Sequence, residues 1–214
     1  MRFRALLAWL LLGSVSLAGT EEPLRFTWAV VYQGSGQSVL AIDYSSRIAH
    51  LSSGDRVRIH FQPRSHCCLY VYLHDAQQHL YLLCQRGFEP PESPEASRGF
   101  TLPEGDNWYR LDTSGGVELF YLIVSDHRLR RLEALTSRSL SRPARYGSLP
   151  RLSRQRPVLE EIRKLIRESS TLGEPVQKPV TVAGEFRGVT EQGSYQGIEV
   201  ESGSVYVRTI RLEH

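Results

Sequence analysis

The sequence predicts a mainly β protein: an antiparallel β-sandwich with a short helix after the last core strand and a C-terminal helix plus two or three strands. Three observations carry that expectation. Residues 24–125 alternate apolar and polar side chains with period two, and turn residues interrupt the alternation every eight to twelve positions. One amphipathic helical stripe follows at residues 157–169. The chain has 214 residues, 41% hydrophobic and 23% charged, which supports a folded core and excludes a fully disordered chain, a fibre or a large multidomain enzyme.

Residues 1–18 read as a secretory signal peptide. Arg2 and Arg4 precede a short apolar run at residues 5–12, and Ser16 and Ala18 place small side chains where a signal peptidase needs them, so the mature chain is expected to begin near Gly19. The run is shorter than the roughly 20 apolar residues of a membrane-spanning helix. No cysteine follows it to accept a lipid. The implied address is periplasmic or secreted. Net charge is +3 for the whole chain and +1 without the two leader arginines. Residues 126–168, however, hold twelve basic against five acidic side chains, and the rest of the mature chain is net acidic. Such asymmetry suits self-association, an acidic partner or an anionic surface.

Within the expected β domain, residues 19–136, strands are read at 25–32, 39–44, 56–62, 67–74, 79–84, 99–102, 108–111 and 117–125. Residues 56–62 are the clearest: Val57, Ile59 and Phe61 face a core, Arg56, Arg58, His60 and Gln62 face water, and Ser53-Gly54-Asp55 turns the chain into the strand. The acidic, proline-rich residues 88–95 and the turn at residues 113–116 are connections. A short helical pattern covers residues 128–135, and residues 137–156, rich in Arg, Ser and Pro and without an acid, read as a linker or extended wrap. In the C-terminal extension, residues 157–214, Pro157 suits the first turn of a helix whose Val158, Leu159, Ile162, Leu165 and Ile166 form one stripe. Glu160 and Glu161 precede Lys164 and Arg167 along its dipole, Gly173 can end it, and residues 180–186 and 205–212 read as further strands.

The order of Leu51-Ser-Ser-Gly-Asp55, Val57-Arg-Ile-His-Phe61, Cys68-Leu-Tyr-Val-Tyr-Leu73, Leu80-Tyr-Leu-Leu83, Gly99-Phe-Thr-Leu-Pro103 and Gly116-Val-Glu-Leu-Phe-Tyr-Leu-Ile-Val-Ser125 resembles the bacterial domain of unknown function 4384 family, over residues 24–135. The resemblance implies an all-β domain of bacterial, often exported proteins, sometimes fused to caspase-like peptidases or protein kinases. The motifs of those partners, a Gln-Ala-Cys block, a kinase Gly-rich loop and a His-Arg-Asp loop, do not occur in this chain, so nothing enzymatic carries over. Where family members often show an apolar-Pro step after the hairpin, this chain has Leu83-Cys84-Gln85.

The hairpin at residues 67–84 holds the candidate sites. Pairing Leu73 with Leu80, Val71 with Leu82 and Leu69 with Cys84 gives one continuously apolar face, leaving Tyr70, Tyr72, His74, His79, Tyr81 and Leu83 on the other. Tyr70, Tyr72 and Tyr81 then form an aromatic strip able to bind a saccharide or peptide, unless the helix from Pro157 covers it. His74 and His79 are cross-strand neighbours that offer two imidazoles to a metal ion, but no third ligand is nominated and no metal or other cofactor is assigned. Of the odd set Cys67, Cys68 and Cys84, a one-residue bulge would set Cys68 opposite Cys84 for a disulfide. Nucleophile and acid–base motifs are missing, and Gly34-Ser-Gly36 does not open a helix. Arg138, Arg142, Arg145, Arg151 and Arg154 suit an envelope polymer or peripheral contact with an anionic membrane surface. Nucleic acid is not expected for an exported chain in which only Tyr146 interleaves the basic run. The reading is an exported, non-catalytic β-sandwich module that binds an envelope protein or polymer. Its alternative is a periplasmic hydrolase or metal- or saccharide-binding protein with a site built from loop residues.

Overall fold

The computed structural model describes residues 22–36, 38–42, 48–89, 99–113, 115–140, 152–171, 174–182 and 195–214. The residues read as a signal peptide, most of the acidic proline-rich stretch, and Arg142, Arg145 and Arg151 lie outside the described residues. Nine strands come first: β1 Leu24–Gln33, β2 Val39–Ala41, β3 Ala49–His50, β4 Arg56–Pro63, β5 Cys67–His74, β6 Leu80–Phe88, β7 Phe100–Leu102, β8 Tyr109–Arg110 and β9 Val117–Ser125. Helices α1 Arg130–Ser139 and α2 Leu152–Thr171 follow, and β10 Val176–Val182, β11 Tyr195–Ser202 and β12 Val205–Glu213 complete the described elements.

The strands form a β-sandwich. One sheet runs β10-β11-β1-β4-β7, with β2 beside β1 and β8 beside β4; the other runs β3-β12-β9-β5-β6. The pairings are antiparallel except that of β3 with β12. Gly203 and Ser204 join β11 in the first sheet to β12 in the second, and Ser204 accepts the N–H of Asp126 at 3.0 Å. The C-terminal strands therefore supply inner strands to both sheets, β11 against β1 and β12 against β9.

Period-two alternation decides which side chains meet. Phe26, Trp28 and Val30 of β1 and Val57, Ile59 and Phe61 of β4 pack against Leu69 and Val71 of β5 and Phe120, Leu122 and Val124 of β9. The opposite face of the second sheet carries Tyr70, Tyr72, Tyr121 and Ile123, and Leu132 of α1 with Val158, Ile162 and Leu165 of α2 cover it. The molecule is thus layered sheet, sheet, helices, and each fully buried aliphatic side chain contributes roughly 1.5–3 kcal/mol to holding the layers together.

Two expectations need correction. The polar face of β4 is wet only at its ends, where Arg56 is exposed and Gln62 half-buried: Arg58 and His60 between them are only 1% and 2% exposed. Arg58 lies 4.3 Å over the Trp108 ring and donates Nε and Nη2 to the carbonyl of Asn107 at 3.1 and 2.9 Å. The His60 ring sits 5.0 Å from Tyr195. Alternation tells which side chains turn away from the core, but not whether something else covers them. The linker is also shorter than read, because residues 137–139 belong to α1 and α2 begins at Leu152, which places Pro157 inside the helix. Pro157 forgoes one intrahelical hydrogen bond. The extra turn is held by Gln155, whose Oε1 accepts the buried N–H of Leu80 at 2.8 Å.

Candidate functional site

The β5–β6 hairpin pairs His74 with Leu80, Leu73 with Tyr81 and Tyr72 with Leu82, one residue away from the expected register. A bulge between Val71 and Tyr72 takes up Leu83, so Val71 faces Cys84 and Tyr70 faces Gln85. Because side chains alternate, a one-residue slip changes the face of every residue it moves. Tyr70 and Tyr72 share the helix-covered face, whereas Tyr81, opposite Leu73, lies on the other. The three tyrosines therefore form no common strip, and Tyr70 and Tyr72 are 1% and 0% exposed beneath the helices.

Their hydroxyls join the layers. Tyr70 accepts the N–H of Leu129 at 2.9 Å and donates to Glu133 at 2.7 Å, while Tyr72 and Thr136 share a buried hydrogen bond of 2.7 Å. Burial pushes both phenols up, Tyr72 to about 12, with the Glu133 hydrogen bond adding to the effect at Tyr70. The hydrogen bond from Arg128, and then that from Tyr70, hold the Glu133 carboxyl below its ordinary range against an opposing contribution from burial.

His74 and His79 are not cross-strand neighbours, since His74 faces Leu80 and His79 belongs to the turn. There Asp75 Oδ1 accepts the N–H of His79 at 2.7 Å, Asp75 Oδ2 lies 3.4 Å from His79 Nδ1, and the His79 and Tyr81 rings are 6.3 Å apart. Burial lowers the His74 pKa. Among the described residues, no three His, Cys, Asp or Glu side chains group so as to hold a metal ion.

The Cys68–Cys84 bridge is not formed. Cys68 lies opposite Gly87 on the helix side and Cys84 opposite Val71 on the sandwich side, so the sheet separates them, and all three cysteines are free and buried. Burial pushes the thiols up, Cys67 to about 12 and Cys84 to about 11, and raises Cys68 as well.

What the two helices turn outward is cationic. Arg138 and Arg154, the described members of the predicted basic set, are exposed on α1 and α2. Arg131 pairs with Glu161 at 2.8 Å across the helices, and an open cleft of about 510 Å³ lies between the start of α1, the end of α2 and Ser204–Val205. Arg128, Arg131 and Lys164 rim that cleft above Leu132 and Leu165. Sequence reasoning missed the buried Arg58–Trp108 stack and the Tyr70–Glu133–Arg128 chain. Only the apolar stripe of α2, which needs a covered surface, pointed toward the second. The chain matches no protein-family model, no curated protein and no solved structure.

Proposed function

We propose that the chain is an exported, non-catalytic β-sandwich module that binds a protein or cell-envelope component through the exterior of its helical layer. One observation carries the reading: Tyr70 and Tyr72 are occupied with internal docking, while the helices that cover them expose basic side chains, Arg138 and Arg154 among them. Thiols raised well above their ordinary range are poor nucleophiles, which favours binding over covalent catalysis. Export to the periplasm and kinship of residues 24–135 with the domain of unknown function 4384 family belong to the same proposal and rest on sequence motifs alone.

In-cell crosslinking of the tagged chain, followed by mass spectrometry, tests the reading. The expected result is a stoichiometric envelope partner linked to α1 or α2 and weakened by Arg138→Ser with Arg154→Ser. Links confined to the first sheet, or a partner indifferent to both substitutions, would count against it.

A second reading, a metal- or saccharide-binding or hydrolytic site, draws on Asp75, His79 and Tyr81 at the hairpin turn, where the buried Nδ1 of His79 makes no hydrogen bond. A stoichiometric zinc ion lost on joint His74→Ala and His79→Ala substitution would favour it.

A further inference from the structure

Helix α2 has 20 residues and is therefore about 30 Å long, and α1 packs beside it. Residues 128–139 and 152–171 together hold nine basic and four acidic side chains. Each acid has a basic partner in the same layer: Glu133 with Arg128, Glu161 with Arg131, Glu160 with Arg156 and Glu168 with Lys164. Arg154, Arg163 and Arg167 are exposed and form no ion pair with an acid of the layer, while Arg130, also exposed, shares Glu133 with Arg128 and so adds to the excess. On α2, Arg156, Arg163 and Arg167 recur at spacings of seven and four, which sets them along one side of the helix away from Val158, Ile162 and Leu165.

The distribution of this charge selects the partner. Protein interfaces draw affinity from aromatic or arginine anchors sunk in pockets. Here the excess is spread over two adjacent helices, and the outward row Arg156, Glu160, Arg163, Lys164 and Arg167 holds no apolar or aromatic anchor. The exposed large hydrophobics among the described residues, Leu40 and Val176, belong to the other sheet. A bilayer of anionic headgroups needs only distributed positive charge within a Debye length, and guanidinium groups match phosphate oxygens two at a time.

We infer that the outer face of the helical layer docks on an anionic phospholipid bilayer. The apolar stripe of α2 is committed to the sheet, so the contact is peripheral, electrostatic and sensitive to salt. The inference rests on the binding-module reading in taking this layer as the working face, and it names the partner.

Flotation of the purified chain with phosphatidylcholine vesicles, with and without phosphatidylglycerol, tests it. The chain should float only with the phosphatidylglycerol vesicles at low salt and be released as salt rises. Each of Arg130→Ser, Arg163→Ser and Arg167→Ser should weaken binding about fivefold, and the three together about a hundredfold. Far-UV circular dichroism should be unchanged, because all three side chains are exposed. Lys178→Ser, on β10 of the other sheet, should have no effect. Absence of flotation at low salt, equal flotation with pure phosphatidylcholine, or a triple variant that floats like the parent would overturn the inference. An acidic protein crosslinked to the same arginines without vesicle binding overturns the lipid assignment and leaves the module reading standing; failure of both experiments removes the two together.

Discussion

Replacing Tyr70 by Phe removes one oxygen from the seam between the second sheet and α1 and leaves the ring in place. That oxygen accepts the N–H of Leu129 and donates to Glu133. Leu129 is the N-cap of α1 and supplies no side-chain cap of its own, and Tyr70 satisfies its backbone N–H from a strand, as a Glu or Gln at the third helical position does in a capping box. A hydrogen bond to a charged acceptor contributes about 1.5–3 kcal/mol and a helix cap about 1 kcal/mol. The two share an atom, and Glu133 keeps Arg128, so the expected loss is roughly 2–3 kcal/mol. In urea the midpoint should fall with the slope unchanged, and the Tm should drop by roughly 4–12 °C for a chain of this size. A second readout is independent. Because the folded pKa of Glu133 lies below its ordinary value, the stability it contributes is present above that value and is lost as pH falls through the folded pKa. Tyr70→Phe weakens that hold, so the variant should lose less stability than the parent on acidification. A loss below about 0.5 kcal/mol with an unchanged acid slope would refute the idea that the hydroxyl fastens the helix.

The remaining expectations address the core, the thiols and the buried imidazole. Ile162 of α2 is fully buried against the second sheet, and Ile162→Ala should cost roughly 2–5 kcal/mol in urea denaturation; a loss under about 1 kcal/mol would mean that α2 is not docked as described. Cys67, Cys68 and Cys84 should resist a thiol reagent in the native chain at mildly alkaline pH and all react after unfolding, and a native disulfide in non-reduced peptide maps would contradict the separation of Cys68 from Cys84 by the sheet. Burial, and then Arg58, place the His60 pKa at about 3 against 6.5 for a free imidazole, so between these values the unfolded chain takes up a proton that the folded chain refuses. Stability should therefore fall as pH drops from 6.5 toward 3, by up to about 1.4 kcal/mol per pH unit, and His60→Gln should flatten that slope in denaturation curves taken along the pH series.

Most of the sandwich was legible because its strands advertise period two. Cys67–His74 and Val117–Ser125 occur with the bounds read from the sequence, and β1 and β4 extend theirs by a residue or two. Where the physics is not local, the sequence is silent. Residues 26–31 are buried along both faces of β1, so alternation there does not reveal which side chains meet the core, and β11 is recognised only through its pairing with β1 and β10. Pro157 looked like a helix start because proline favours a first turn. The turn before it is held by Gln155 reaching Leu80, seventy-five residues away in sequence, which no helical signal encodes.

The candidate site turns on the same distinction. Leu80-Tyr-Leu-Leu-Cys84 is apolar on both faces, so alternation does not choose between registers one residue apart, and register is weakly specified wherever a strand has no polar face. What breaks the tie is the third layer. With α1 and α2 in place, Leu80 and Leu82 lie on the helix side beside Tyr70 and Tyr72, and the N–H of Leu80 has Gln155. In the other register Leu80 would face Leu73 on the sandwich side, away from α2. Helix docking and strand register therefore select each other. The tyrosines that a sequence reader would offer to a ligand are consumed by that selection, and the chemistry left to meet a partner is the charge on the outside of the helices that consumed them.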